Sequence, residues 1–226
     1  MAGPRPVYDR LLRRFGPQHW WPAETPFEVV VGGLLMAQTS WRNVAAAIDN
    51  LKQAGLLDPR ALAAAPLGTI RALVRPAGLY RQKPGRLKGF CRHLMRVARG
   101  DLDRFFARDL ETVRDELLGI DGIGPETADS ILLYAGEFPT FVVDAYTVRI
   151  GRRLGWFATD RYDAVKAFFE SRLPRDVALY REYHALLVAL GKEICRPRPR
   201  CDVCPVRSAC AYYRDRQRRG SSVTLK

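Results

Sequence analysis

No run in the sequence is apolar for the ~20 residues that a helix needs to cross a bilayer. The opening MAGPRPVYDR has no apolar signal core. A spanning helix is therefore not expected, nor export. The cytoplasm is the expected location, on the nucleoid in a prokaryotic cell. Stretches alternating apolar and polar residues are scarce, so strands are not expected to build the fold. No repeat of fixed period stands out, and the one biased segment is the basic tail RDRQRRGSSVTLK at 214–226, expected to fray. Histidine is rare, with three in 226 residues. Neither His93 nor His184 has a partner visible in the sequence, and packing is the expected role of both. Acid is also short: 24 Asp and Glu stand against 37 Lys and Arg, a formal charge of +13 and a pI near 10.0. Such a surface attracts polyanions, with nucleic acid the first candidate and a solvated basic surface without a partner the plain alternative.

What is present is helix. The chain is 47% hydrophobic, enough for a packed core in one sizeable domain or two small lobes. Period-3.6 patterns predict helices over 26–38, from 41 to the stop at Gly55, and two short ones within 58–78. Further helices are predicted over 82–99, 109–118, 125–136, 145–154, 163–173 and 175–195. The expected fold class is all-α.

Four of the five cysteines fall in CRPRPRCDVCPVRSAC, at Cys195, Cys201, Cys204 and Cys210. Four thiols this close suit a metal centre better than disulfides in a reducing compartment. Zinc sites more often pair two C-x2-C units, and only one is present, whereas a [4Fe-4S] cluster takes one thiolate per iron. Iron–sulfur is the preferred reading and zinc the alternative. The intervening Arg and Pro residues favour a structural, DNA-facing loop over electron transfer. Cys91 is left for the core.

The stretch DGIGPETAD at 121–129 joins two predicted helices by a tight turn. Gly122 and Gly124 permit positive φ and close approach of another backbone. The amides of Ile123 and Gly124, with the start of the next helix, are expected to form an anion site suited to a phosphodiester. Read alone, two glycines are a weak signal.

Taken together, GIDGIGPETADSILLYA, then VVDAY, then the four-cysteine loop resemble the helix-hairpin-helix (HhH-GPD) DNA glycosylases of the endonuclease III superfamily, over residues from about 25 to 210. The resemblance implies two helical lobes flanking a DNA-binding cleft. One is a six-helix lobe over 25–138 containing the hairpin, at about 109–136. The other, 1–24 with 139–226, carries the [4Fe-4S] loop. It implies a monomer acting on damaged double-stranded DNA, flipping a nucleotide out and cutting its N-glycosidic bond. Asp144 stands where the family keeps its catalytic aspartate; capping the helix at 145–154 is a second role that it can fill at once. Bifunctional members carry a lysine 18 residues before that aspartate, and here that position is Glu126. A carboxylate cannot form the lysine's Schiff base, so a monofunctional, water-using glycosylase is expected. Glu126 is left either to touch the flipped base or to complement the helix dipole. The motifs are most similar to those of the alkylpurine (3-methyladenine) subgroup. That likeness implies a base pocket of Trp41 with Trp20 or Trp21, against ordinary packing as the alternative. Gln38 matches a residue that fills the vacated stack and Leu79 an intercalating wedge. Lys192 is expected to be solvated, or else to reach a phosphate. The first cysteine spacing, x5, departs from the family's x6. Oxidised pyrimidines or mismatched bases, with weak lyase activity, are the alternative substrates. A DNA-binding relative that has lost catalysis is the alternative function.

Overall fold

The computed structural model describes the backbone of residues 2–223 and side chains to residue 218. Among the described residues, thirteen α-helices and three short 3-10 turns make up the regular structure, and no strand occurs. In chain order the helices are α1 (Pro4–Phe15), α2 (Pro26–Leu35), α3 (Trp41–Gln53), α4 (Pro59–Ala64), α5 (Leu67–Leu73), α6 (Lys83–Ala98) and α7 (Leu102–Phe106). Then follow α8 (Leu110–Leu118), α9 (Pro125–Tyr134), α10 (Ala145–Leu154), α11 (Tyr162–Glu170), α12 (Val177–Glu193) and α13 (Ala211–Val223). The all-α expectation is met.

The helix starts are written in the sequence. Asp58, Asp101, Asp109, Asp144 and Asp176 each cap a helix, the carboxylate accepting from the amide three residues on. Thr25 does the same for α2. Each such cap contributes about 1 kcal/mol. Three helices were not foreseen. In α1 the prolines obscure a short stripe, but Val7 and Leu11, four apart, are both fully buried. Helix α7 is a single capped turn. Helix α13 carries regular backbone from Ala211 through Val223, where the basic tail is expected to fray. Residues 224–226 of that tail lie outside the described residues. Helix α2 ends at Leu35 rather than at Gln38, because Gln38 takes a left-handed backbone at φ 55°.

The chain divides into two compact units. Residues Trp21–Phe138 form one, holding α2 to α9. Its core gathers Val30, Leu34, Ile48, Leu87, Phe90 and Leu132, all at most 2% exposed, with Cys91 fully buried among them. Burial pushes the Cys91 thiol up to about 12, so it behaves as a small hydrophobe. Two buried acids are paired: Lys52 reaches Glu28 at 3.0 Å, and Arg114 Nε donates to Asp129 Oδ1 at 2.8 Å.

Residues 1–20 and 139–226 form the second unit, with α1 and α10 packed on α12. Phe141 stacks on Phe169 at 4.2 Å between ring centroids, and the buried Tyr183 hydroxyl donates to the Pro4 carbonyl at 2.8 Å. Gly191 lets α10 approach α12 closely, since a Cβ there would stand 2.8 Å from Tyr146 Cγ.

Candidate base-excision site and cysteine loop

In the first unit, the hairpin joins α8 to α9. Gly122 takes φ +80°, and Arg86 from α6 lies over it so closely that a Cβ would stand 2.9 Å from Arg86 Cγ and Cδ. The left-handed backbone favours glycine, and any other residue would also push the Arg86 side chain aside. Two expectations need correction. Gly124 is extended, at φ −93°, and serves as N-cap of α9, so it does not need glycine's left-handed freedom. The Ile123 amide is not presented outward: it donates to the Ile120 carbonyl at 3.0 Å, and its side chain is 5% exposed in the core. The tight turn returns that amide inward, leaving Ile123 as the anchor that holds the hairpin down. Space around the Gly124 Cα is open, and the first turn of α9 beside it carries the positive end of the helix dipole. Glu126 is exposed in that turn.

Gln38 and Leu79 share an unusual backbone. Both are non-glycine residues in the left-handed region, at φ 55° and φ 44°. Such conformations cost free energy and concentrate at functional loops. Gln38 is exposed in the turn between α2 and α3, and Leu79 is half-buried just before α6. Nothing in composition signals this; only motif position singled the two out.

The aromatic residues divide between the units. Trp41, the first residue of α3, meets Trp21 edge to face at 5.6 Å, and Trp21 meets Tyr134 at 5.2 Å. The Trp21 ring also covers Gly32, whose Cβ position is 3.0 Å from the indole nitrogen. Trp20 belongs to the other unit, where its ring meets His184 edge to face at 5.8 Å, with the Lys192 ammonium 5.7 Å from the ring centre.

That second unit also holds Asp144. Its Oδ1 accepts from the Thr147 amide at 2.6 Å, capping α10, and its side chain is 11% exposed. His184 Nε2 stands 3.8 Å from the other carboxylate oxygen, an ion-pair separation. Burial pushes the Asp144 pKa up. The facing His184 and the Thr147 hydrogen bond outweigh it, and the net shift is downward. The site thus keeps a shielded carboxylate ionised. His184 was expected only to pack; α12 instead sets it beside Asp144 and Trp20, forty residues from the first in sequence. His93 too is partnered, 2.7 Å from Glu116, which also takes a bidentate pair of hydrogen bonds from Arg108.

The cysteine loop follows α12. Cys195, Cys201, Cys204 and Cys210 line one cavity, walled on its other sides by Ile150, Leu154 and Val206. The basic end of α10 fastens it. Arg149 Nε donates to the Cys195 carbonyl at 2.9 Å, Arg153 donates to Cys195 Sγ at 3.2 Å, and Cys210 Sγ donates to the Arg153 carbonyl at 3.2 Å. Burial, then the neighbouring thiols, hold Cys204 up at about 11, and Cys210 is raised for the same reasons. Among the described residues, no three His, Cys, Asp or Glu side chains converge closely enough to hold a metal ion as they stand. The donor set nonetheless fits a multi-cation centre. Four soft ligands face one pocket, and the burial that holds the Cys204 and Cys210 thiols protonated is what a bound cation would offset.

Residues 31–175 match the family described as HhH-GPD superfamily base excision DNA repair protein. A putative DNA repair glycosylase of Methanocaldococcus jannaschii is 45% identical over 207 residues, covering 90% of this chain and 94% of its own. A trapped endonuclease III–DNA covalent intermediate superposes with TM-score 0.81 at 25% identity, over 96% of this chain and 100% of that one. The 3-methyladenine DNA glycosylase MagIII of Helicobacter pylori, bound to 1,N6-ethenoadenine, superposes with TM-score 0.75 at 25% identity, over 85% and 98%. The chain belongs to the HhH-GPD superfamily, as a DNA glycosylase of base excision repair whose partner is damaged DNA. No helix of the described residues is long and apolar enough to cross a membrane.

Proposed function

We propose that this glycosylase is monofunctional: it hydrolyses the N-glycosidic bond of a flipped base with water and does not cut the strand. One observation carries the reading. Asp144 is retained, shielded and held ionised, while Glu126 occupies the position at which bifunctional relatives keep the Schiff-base lysine. As the bond to the base breaks, positive charge grows on the sugar. The Asp144 carboxylate opposes that charge and orients or deprotonates the attacking water. His184 and the Thr147 amide hold the carboxylate in place. Gly124 and the first turn of α9 take a backbone phosphate, with Gly122 and Ile123 setting the turn. Leu79 and Gln38 enter the opened stack.

The base released is an alkylated purine, received by Trp41 with Trp21. A cationic purine stacks well on electron-rich rings and needs little acid assistance to leave. Mismatched or oxidised pyrimidines are the second reading. Trp21 is already engaged edge-on with Trp41 and over Gly32, so no parallel pair of rings stands ready in that unit. Duplexes bearing 3-methyladenine, ethenoadenine, mismatched uracil or thymine, and thymine glycol, scored separately for free base and nicked strand, test both readings. Purine release without nicking is expected. Release confined to pyrimidines would overturn the lesion class, and nicking in step with release would overturn monofunctionality.

The four cysteines are assigned to a [4Fe-4S] cluster. When bound, it supplies a structural cross-link between the end of α12 and the start of α13. The purified protein should carry about four irons per chain and a visible absorbance shoulder, both lost in Cys204→Ser. Stoichiometric zinc would overturn the assignment.

A further inference from the structure

The wedge position, Leu79, is bracketed by a single residue. Lys83, the first residue of α6, has a side chain with no exposure to solvent, although an ammonium is costly to bury. Its Nζ donates to the Ala77 carbonyl at 2.7 Å, two residues before Leu79. Its own amide donates to the Leu79 carbonyl at 3.1 Å, beside that of Gln82 at 2.9 Å. Between those tethers the chain runs through two successive left-handed residues, Gly78 at φ +70° and Leu79 at φ +44°. Isolated, such a pair of conformations would relax. Burial, then the Arg86 charge, pushes Lys83 down to about 8, so the ammonium still predominates at neutral pH. The same turn of α6 continues into Arg86, which donates to Gln82 Oε1 at 3.0 Å and lies over Gly122 of the hairpin.

We infer that Lys83 is a positioning residue for DNA: it clamps the loop 77–83 on both sides of Leu79, so that the wedge is preformed before the duplex arrives. The inference rests on the assignment of Leu79 as wedge, and it gives the buried ammonium a purpose that helix packing does not require. A lysine at the start of a helix opposes the dipole, and an apolar residue would fill the same space without a charge to desolvate. The clamp lowers the ordering cost of insertion, since the strained turn is already set.

The test needs no knowledge of the lesion. A duplex carrying a tetrahydrofuran abasic analogue, with 2-aminopurine as its neighbour, reports unstacking by a fluorescence rise at saturating protein. Wild type should give the full rise, and Leu79→Ala should lose most of it. Lys83→Met, which keeps the length and removes the donor, should lose a comparable share, and Leu79→Ala with Lys83→Met together should be no worse than Leu79→Ala alone. Phe105→Leu, a core change elsewhere in the unit, should keep the full rise, separating loop geometry from general loosening. Full amplitude in Leu79→Ala would refute the wedge. Loss in Leu79→Ala with full amplitude in Lys83→Met would refute the clamp alone. Should Lys83→Met fail to fold, Gly78→Ala serves instead: its Cβ meets nothing within 4 Å, so only the left-handed backbone is strained. A full rise there would show that the preset turn is unnecessary, and would likewise overturn the proposal.

Discussion

Asp144→Asn should lower base excision by about 10²–10⁴-fold, the range spanned by removing a positioned acid–base or charge-stabilising group. Duplex affinity should stay within a few-fold. The fold should survive, because Asn caps a helix about as well as Asp and can still accept from the Thr147 amide. What is lost is the negative charge. The pH dependence follows from the same residue. Its pKa is depressed in the folded chain, so the carboxylate stays ionised down through the ordinary aspartate value near 3.9. Excision should therefore show no acid limb from Asp144 between pH 8 and about 5. Its contribution to stability is full above the unfolded pKa and is lost only as pH falls through the lower folded one. His184→Gln removes one of the lowering influences and leaves the burial. The acid limb should then move to higher pH, as read from single-turnover rates. An unchanged excision rate in Asp144→Asn would remove this carboxylate from the chemistry.

Glu126→Lys should have the second large effect, the appearance of a covalent adduct on borohydride reduction where wild type gives none. Glu126 is exposed in the first turn of α9, so a lysine there meets no packing obstacle. An amine at that position is what bifunctional relatives use to attack the sugar. The change also takes a negative charge away from the helix end proposed to hold a phosphate, so affinity for duplex should rise at low salt. If the variant releases base but never forms the adduct, the absence of lysine is not what withholds lyase chemistry here.

The sequence made some parts of this molecule legible and hid others. The long helices and their starts could be read because apolar periodicity and aspartate caps are local signals. The four cysteines were visible through spacing alone, and Asp144 and Glu126 through motif position. What stayed hidden is what tertiary structure brings together. His184 meets Asp144 only because α12 packs on α10, and no residue near either one announces it. The left-handed backbones of Gln38 and Leu79 go against the preference of both residue types, so propensity pointed away from them. The Ile123 amide was read as outward-facing because a glycine-flanked turn suggests open donors; the turn closes on itself, at Ile120, instead. Nothing in the sequence sets Lys83 apart from the other lysines of a basic chain, and it is fully buried.

Hydrolysis by a carboxylate with no capturing amine is the central claim. Its most direct test is to incubate the wild-type chain with a duplex whose damaged base it releases, in the presence of borohydride, and to resolve protein from DNA under denaturing conditions. Free base with no cross-linked band is the predicted result. A cross-linked band that grows in step with base release would contradict it.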